Sequence, residues 1–107
     1  MYYYANTSQY FWCFMPSDDE ENLYKALVSL ETVDECQRFF SDLCTPAEIE
    51  EFTSRWLVAR LLKEEKPYRQ IATEAGVSTT TVGRVSRFIK YGNNGYNLIL
   101  ERLAKNN

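Results

Sequence analysis

The stretch YRQIATEAGVSTTTVGRVSR at 68–87 limits most tightly what this chain can fold into, because it spaces two short helical runs around one glycine. Ala72 stands where the two helices come closest, and a side chain larger than a methyl would force them apart. Gly76, four residues on, falls where a helix ends with positive φ, a conformation that costs a residue bearing a Cβ about 1 kcal/mol or more. Ile71, Val77, Val82 and Val85 supply apolar positions for a small core between the pair. Ser78 is a good N-cap and sets the second helix at 79–91. This is the spacing of a helix-turn-helix.

The chemistry of the second helix suits a nucleic acid. It opens on Ser78, Thr79, Thr80 and Thr81, continues with Arg84, Arg87 and Lys90, and no acid occurs between Val77 and Asn97. Short hydroxyl side chains can reach phosphates and base edges in a major groove, and arginine can bind guanine through two hydrogen bonds. Thr79, Thr80 and Thr81 are the first choices for base-edge or phosphate contact. Arg84 either reaches DNA or lines a pocket, Arg87 and Lys90 suit backbone phosphates, and Arg69 and Gln70 suit a phosphate on the flanking strand. A helical hairpin with a merely solvated basic face is the bland alternative.

Summed charge alone would argue against such a partner, since the 107 residues carry a net −3. The charge is divided, however: residues 1–54 hold two bases and eleven acids (net −9), and residues 55–107 hold ten bases and four acids (net +6). A basic reading surface on an acidic body can bind phosphates locally while resisting indiscriminate adhesion.

Helical signals fill the rest of the chain from residue 16. Ser17-Asp18-Asp19-Glu20 provides a cap and first-turn acids, followed by Leu23, Ala26, Leu27 and Leu30 at helical spacing. Thr32 with Glu35 reads as a capping box before Cys36, Phe39, Phe40 and Leu43, and Thr45-Pro46-Ala47-Glu48 repeats the device with proline at the first helical position. The third helix should span 46–65, with Ile49, Phe52, Trp56, Leu57, Ala59, Leu61 and Leu62 inward and Pro67 as its stop. A turn at 92–95 precedes a last helix over about 96–104. The expectation is an all-α chain of six helices without strands.

Residues 1–15 are aromatic without periodicity and read as an N-terminal extension, disordered or a non-native start ahead of Met15, or else an arm for a partner subunit or DNA; the domain proper is 16–107. Cys13, Cys36 and Cys44 form no CxxC pair, and the chain has no histidine. No metal site or cofactor is therefore expected, and Cys36 and Cys44 read as small core residues of a reduced, cytoplasmic protein. No apolar run long enough for a membrane span is present. Without histidine, a phosphate-cradling glycine loop or a convergent carboxylate pair, no enzyme is expected.

From 23 to 103 the chain resembles the Trp repressor superfamily, and within it the TrpR-like YerC/YecD group. The resemblance is carried by ECQRFFSDLCT at 35–45, VARLL at 58–62, GVSTTTVGRV at 76–85 and YGNNGY at 91–96. It implies an intertwined all-helical homodimer, a repressor presenting two recognition helices to successive major grooves of double-stranded DNA at a palindromic operator. The rival reading is a helical protein–protein interaction module that keeps the fold without binding DNA.

The resemblance also implies a ligand pocket between the third and recognition helices, in which Thr45, Thr81 and Arg84 match the family's partners for tryptophan. A second arginine position aligns with Ser54, and Arg55, one residue on, should project about 100° away. Losing one charge-assisted hydrogen bond of ~1.5–3 kcal/mol weakens a ligand tenfold to a hundredfold, so a tryptophan corepressor is not expected. Gly83 is a further departure, where relatives often carry threonine or serine.

Overall fold

The structure, a computed structural model, describes residues 16–106. The expectations for residues 1–15 lie outside these. The described residues form six helices and no strand: α1 (Asp18–Val28), α2 (Val33–Leu43), α3 (Pro46–Lys63), α4 (Tyr68–Ala75), α5 (Thr79–Tyr91) and α6 (Gly95–Lys105). They fall into two compact units divided between Phe40 and Ser41.

Each helix start has a visible chemical cause. Ser17 Oγ accepts from Glu20 N at 3.2 Å at the head of α1, and four acids occupy its first turn. At α3, Thr45 Oγ1 accepts from Glu48 N at 3.1 Å while Glu48 Oε1 accepts from Thr45 N at 2.8 Å, a complete capping box. The box expected at α2 is present in shifted form. Thr32 Oγ1 accepts from Glu35 N at 3.1 Å, but the Glu35 carboxylate accepts from Glu31 N at 2.9 Å rather than from Thr32 N. Glutamate is long enough to reach one residue past the cap.

α3 stops at Lys63, two residues before the sequence expectation. Glu65 adopts φ 60°, which breaks the helical hydrogen-bond ladder, and Pro67 then disfavours helical geometry at Lys66. α6 matches its expected span to within one residue at either end.

In the first unit, α1 carries no buried residue, and neither does α2, which runs on past Phe40 to Leu43. Val28 and Val33 are 83% and 86% exposed. This corrects the assignment of Cys36 to a core: it is exposed, and Cys44 is half-buried. Periodicity had located an apolar stripe that the protomer itself leaves uncovered.

The second unit holds the core. Val58, Ala59 and Leu61 of α3, Ile71 of α4, and Val82 and Val85 of α5 form one buried cluster, with Trp56, Leu57, Leu62, Ala72, Ala75, Val77, Ile89 and Tyr96 packed against it. α3, α4 and α5 pack pairwise on one another, and α6 packs on α5. Trp56 and Tyr96 stack with ring centroids 6.3 Å apart and planes 8° from parallel, tying α3 to the start of α6. Val58, absent from the expected inward face, has no exposed surface at all.

Candidate nucleic-acid interface

The junction of α4 and α5 is built as its residue types require. Gly76 ends α4 at φ 67°, ψ 35°, and the amide of Val77 reaches back to Ala72 O at 3.0 Å, closing the left-handed helix stop. Two residues on, Ser78 is extended and its Oγ accepts from Thr81 N at 3.1 Å, so α5 begins in a new direction at Thr79. Ile71, Val82 and Val85 are buried and Val77 half-buried, so the expected small core between the helices is present.

At 100° per residue, α5 presents three faces. Val82, Val85 and Ser86 are buried and hold the helix to the domain. Thr79, Thr80, Arg87 and Lys90 are exposed on the far side. The third flank, bearing Thr81 and Arg84, faces a cleft of about 750 Å³ between α3 and α5, which Ser54 and Arg55 line from the α3 side. Arg84 thus lies on the cleft flank, and its side chain is exposed.

Among the described residues, the hydroxyls of Thr79 and Thr80 and the cations of Arg69, Arg84, Arg87 and Lys90 have no hydrogen-bond or ion-pair partner within the chain. The other three expected contacts, Ser78, Thr81 and Gln70, are already engaged. Ser78 caps α5 and its hydroxyl shares a 3.2 Å hydrogen bond with that of Thr81. The Gln70 amide donates to Glu74 Oε1 at 3.0 Å, inside α4.

Glu74 and Lys66 form a brace that the sequence reading had not singled out. Lys66 Nζ lies 3.3 Å from Glu74 Oε1 and 3.6 Å from Glu64 Oε1, joining the α3–α4 connection to the last turn of α4. The hydrogen bond from Gln70, and then that from Lys66, hold the Glu74 carboxyl below its ordinary pKa. The hydrogen bond and charge of Glu74 raise that of Lys66. Beyond α5, Asn97 Nδ2 donates to Ile89 O at 3.1 Å and to Asn94 Oδ1 at 3.2 Å, fixing α6 to the end of α5. The 92–95 turn was legible in the sequence; the asparagine that locks it gave no periodic signal.

This six-helix arrangement has a counterpart in known proteins: residues 19–104 match the family model described as Trp repressor protein. The chain belongs to the Trp repressor family. It is 45% identical over 85 residues to the uncharacterised protein YerC of Bacillus subtilis, an alignment covering 79% of this chain and 82% of that one. A solved TrpR-like protein from Eubacterium eligens superposes with a TM-score of 0.79 at 42% identity, over 82% of this chain and 91% of its own. A candidate Trp repressor from Staphylococcus aureus does so at 0.79 and 38%, over 83% and 89%.

Within this Trp repressor-like chain, the four residues tied to a ligand pocket by resemblance are only partly brought together. Thr81, Arg84 and Arg55 line the cleft, whereas Thr45 serves as the N-cap of α3 and is not part of the lining. Arg55 borders the cleft beside Ser54, and its guanidinium carbon lies 5.3 Å from the centre of the ring of Phe52, a residue of its own helix that is not part of the lining. Among the described residues, no helix is long and apolar enough to cross a membrane, and no group of three or more His, Cys, Asp or Glu side chains could hold a metal ion.

Proposed function

We propose that this protein is a sequence-specific DNA-binding transcriptional regulator that reads a palindromic operator as a homodimer. The observation that carries the reading is the outer face of α5. Thr79, Thr80, Arg87 and Lys90 stand exposed and without internal partners, on a helix free of acids and seated by buried Val82 and Val85. Arginine and lysine left unpaired on a rigid ridge can meet phosphates at no cost in broken ion pairs, while threonines near the helix start reach base edges.

The uncovered faces of α1 and α2 support a dimer. An isolated eleven-residue helix is marginal in water, yet α1 and α2 have no fully buried residue and expose Leu23, Val28, Val33 and Leu43. A second copy covering these stripes would supply their packing, and twofold symmetry would set two recognition helices about 34 Å apart, one turn of the duplex.

The test is selection of genomic fragments by purified protein at about 150 mM salt, where non-specific phosphate binding is weak. Enrichment of one palindromic site, bound by a dimer, is the expected result. Retention of no DNA, or of fragments sharing no sequence, would overturn the proposal.

A further inference from the structure

Gly83 sits in the body of the thirteen-residue α5, the place where glycine loosens a helix most. Alanine there would favour folding by roughly fivefold. Two other glycines of this unit have reasons within the fold. Gly76 needs its φ of 67°, and a Cβ on Gly92 would run into the carbonyl of Phe88. Gly83 has neither reason: its φ is not positive, and an added Cβ would meet no atom within 4 Å. Nothing inside the protomer asks for a glycine there.

Its surroundings on the helix surface are informative. Thr79 and Thr80 lie four and three residues before it and Arg87 four after, so these side chains border half-buried Gly83 toward solvent, while buried Ser86, three after, borders it toward the domain. All three are exposed, and even they leave the space over Gly83 empty. The ridge read above as DNA-facing therefore carries a hollow one side chain deep, bordered by two threonines that each carry a methyl group. A helix with its side chains, about 10–12 Å across, only just fits a major groove about 12 Å wide, so a missing side chain decides how closely its axis approaches the base edges. The groove floor bears one protruding apolar group, the thymine 5-methyl.

We infer that Gly83 is a specificity-determining residue, a notch framed by Thr79, Thr80 and Arg87 that seats a thymine methyl at one base pair of each operator half-site. The inference rests on α5 being the DNA-reading helix. It accounts for a glycine that weakens the free protein: the hollow is filled only on the duplex.

The experiment uses the full chain and the duplex it selects, with wild type, Gly83→Ala and Gly83→Thr compared for affinity, selectivity and Tm, and with each operator thymine replaced in turn by deoxyuridine, which removes only the methyl. For wild type, one symmetric thymine-to-deoxyuridine change should weaken binding about fourfold per half-site, the worth of one buried methyl. Gly83→Ala should raise Tm by roughly 4–8 °C. It should nonetheless bind the operator at least tenfold more weakly and lose the thymine preference, while Gly83→Thr should select a different base at that pair. Wild type indifferent to every deoxyuridine, or Gly83→Ala as tight as wild type, would overturn the notch. So would equal losses on operator and random duplex, which would place the approach at the sugar–phosphate backbone. Wild type that selects no duplex at all would instead remove the DNA-binding reading, and the notch with it.

Discussion

Alanine at Gly76 and at Gly83, seven residues apart in one helix-turn-helix, should shift stability in opposite directions. At neither position would the new methyl meet an atom within 4 Å, so packing cancels from the comparison and backbone conformation alone decides. Gly76 holds φ 67°, ψ 35°. Forcing an L-residue there costs ~1–2 kcal/mol, offset by the 0.4–1 kcal/mol gained because alanine restricts the unfolded chain, for a net loss of up to about 1.6 kcal/mol. At Gly83 the same methyl enters a regular helix and should stabilise by ~1 kcal/mol. For a unit of this size the two variants should bracket wild type by several degrees on either side, at about 4–8 °C per kcal/mol. Thermal unfolding at one fixed protein concentration, needed because the Tm of any oligomer depends on it, measures both. Gly76→Asn provides an internal control, since asparagine tolerates the left-handed region and should recover part of the loss. Gly76→Ala at or above the wild-type Tm would refute the left-handed turn on which the helix-turn-helix geometry rests.

Three further outcomes follow from the geometry. Ile71→Ala, which empties a fully buried position of the only core cluster among the described residues, should destabilise by ~2–5 kcal/mol in denaturant titration. Lys90→Ala should leave Tm unchanged, weaken operator and random duplex alike, and reduce the slope of log affinity against log salt by about 1. The Lys66–Glu74 brace should add to stability through the neutral range. Glu74, held below its ordinary pKa, loses its share as pH falls through that lowered value, and Lys66, raised above its own, loses its share as pH rises through the raised one. Tm profiles of wild type and Glu74→Gln should therefore differ most at neutral pH, converge at low pH, narrow at high pH where Lys66 loses its charge but Gln70 still donates to Glu74, and differ less in high salt, because the pair is open to solvent.

Helix boundaries were legible in the sequence wherever a local rule governs them. Ser17, Thr45 with Glu48, Gly76 and Ser78 each do their work within four residues, and each is found in the expected role. What covers a helix is not local. The apolar stripe of α2 was visible, but whether Cys36 is buried depends on a surface the protomer does not supply, and it proves exposed. Val58 was passed over for a related reason. WLVARLL at 56–62 is apolar on nearly every side, so helical period cannot separate the residue facing α4 and α5 from its neighbours.

The candidate site divides along the same line. Residue types and turn chemistry located α5 and its start, but seven candidate contacts from Ser78 to Lys90 could not be sorted without knowing how α5 is rolled. Burial of Val82, Val85 and Ser86 sets that roll, and it assigns Thr79, Thr80, Arg87 and Lys90 to the open ridge and Thr81 and Arg84 to the cleft flank. Because one rigid helix carries both sets, a substitution that rotates α5 would move ridge and cleft together. A change confined to Ser54 or Arg55 leaves the buried anchors of α5 untouched and should alter what the cleft admits without altering which bases the ridge can reach. The residues that seat the helix thus fix the orientation of ridge and cleft flank together, with half-buried Gly83 at the border of the ridge.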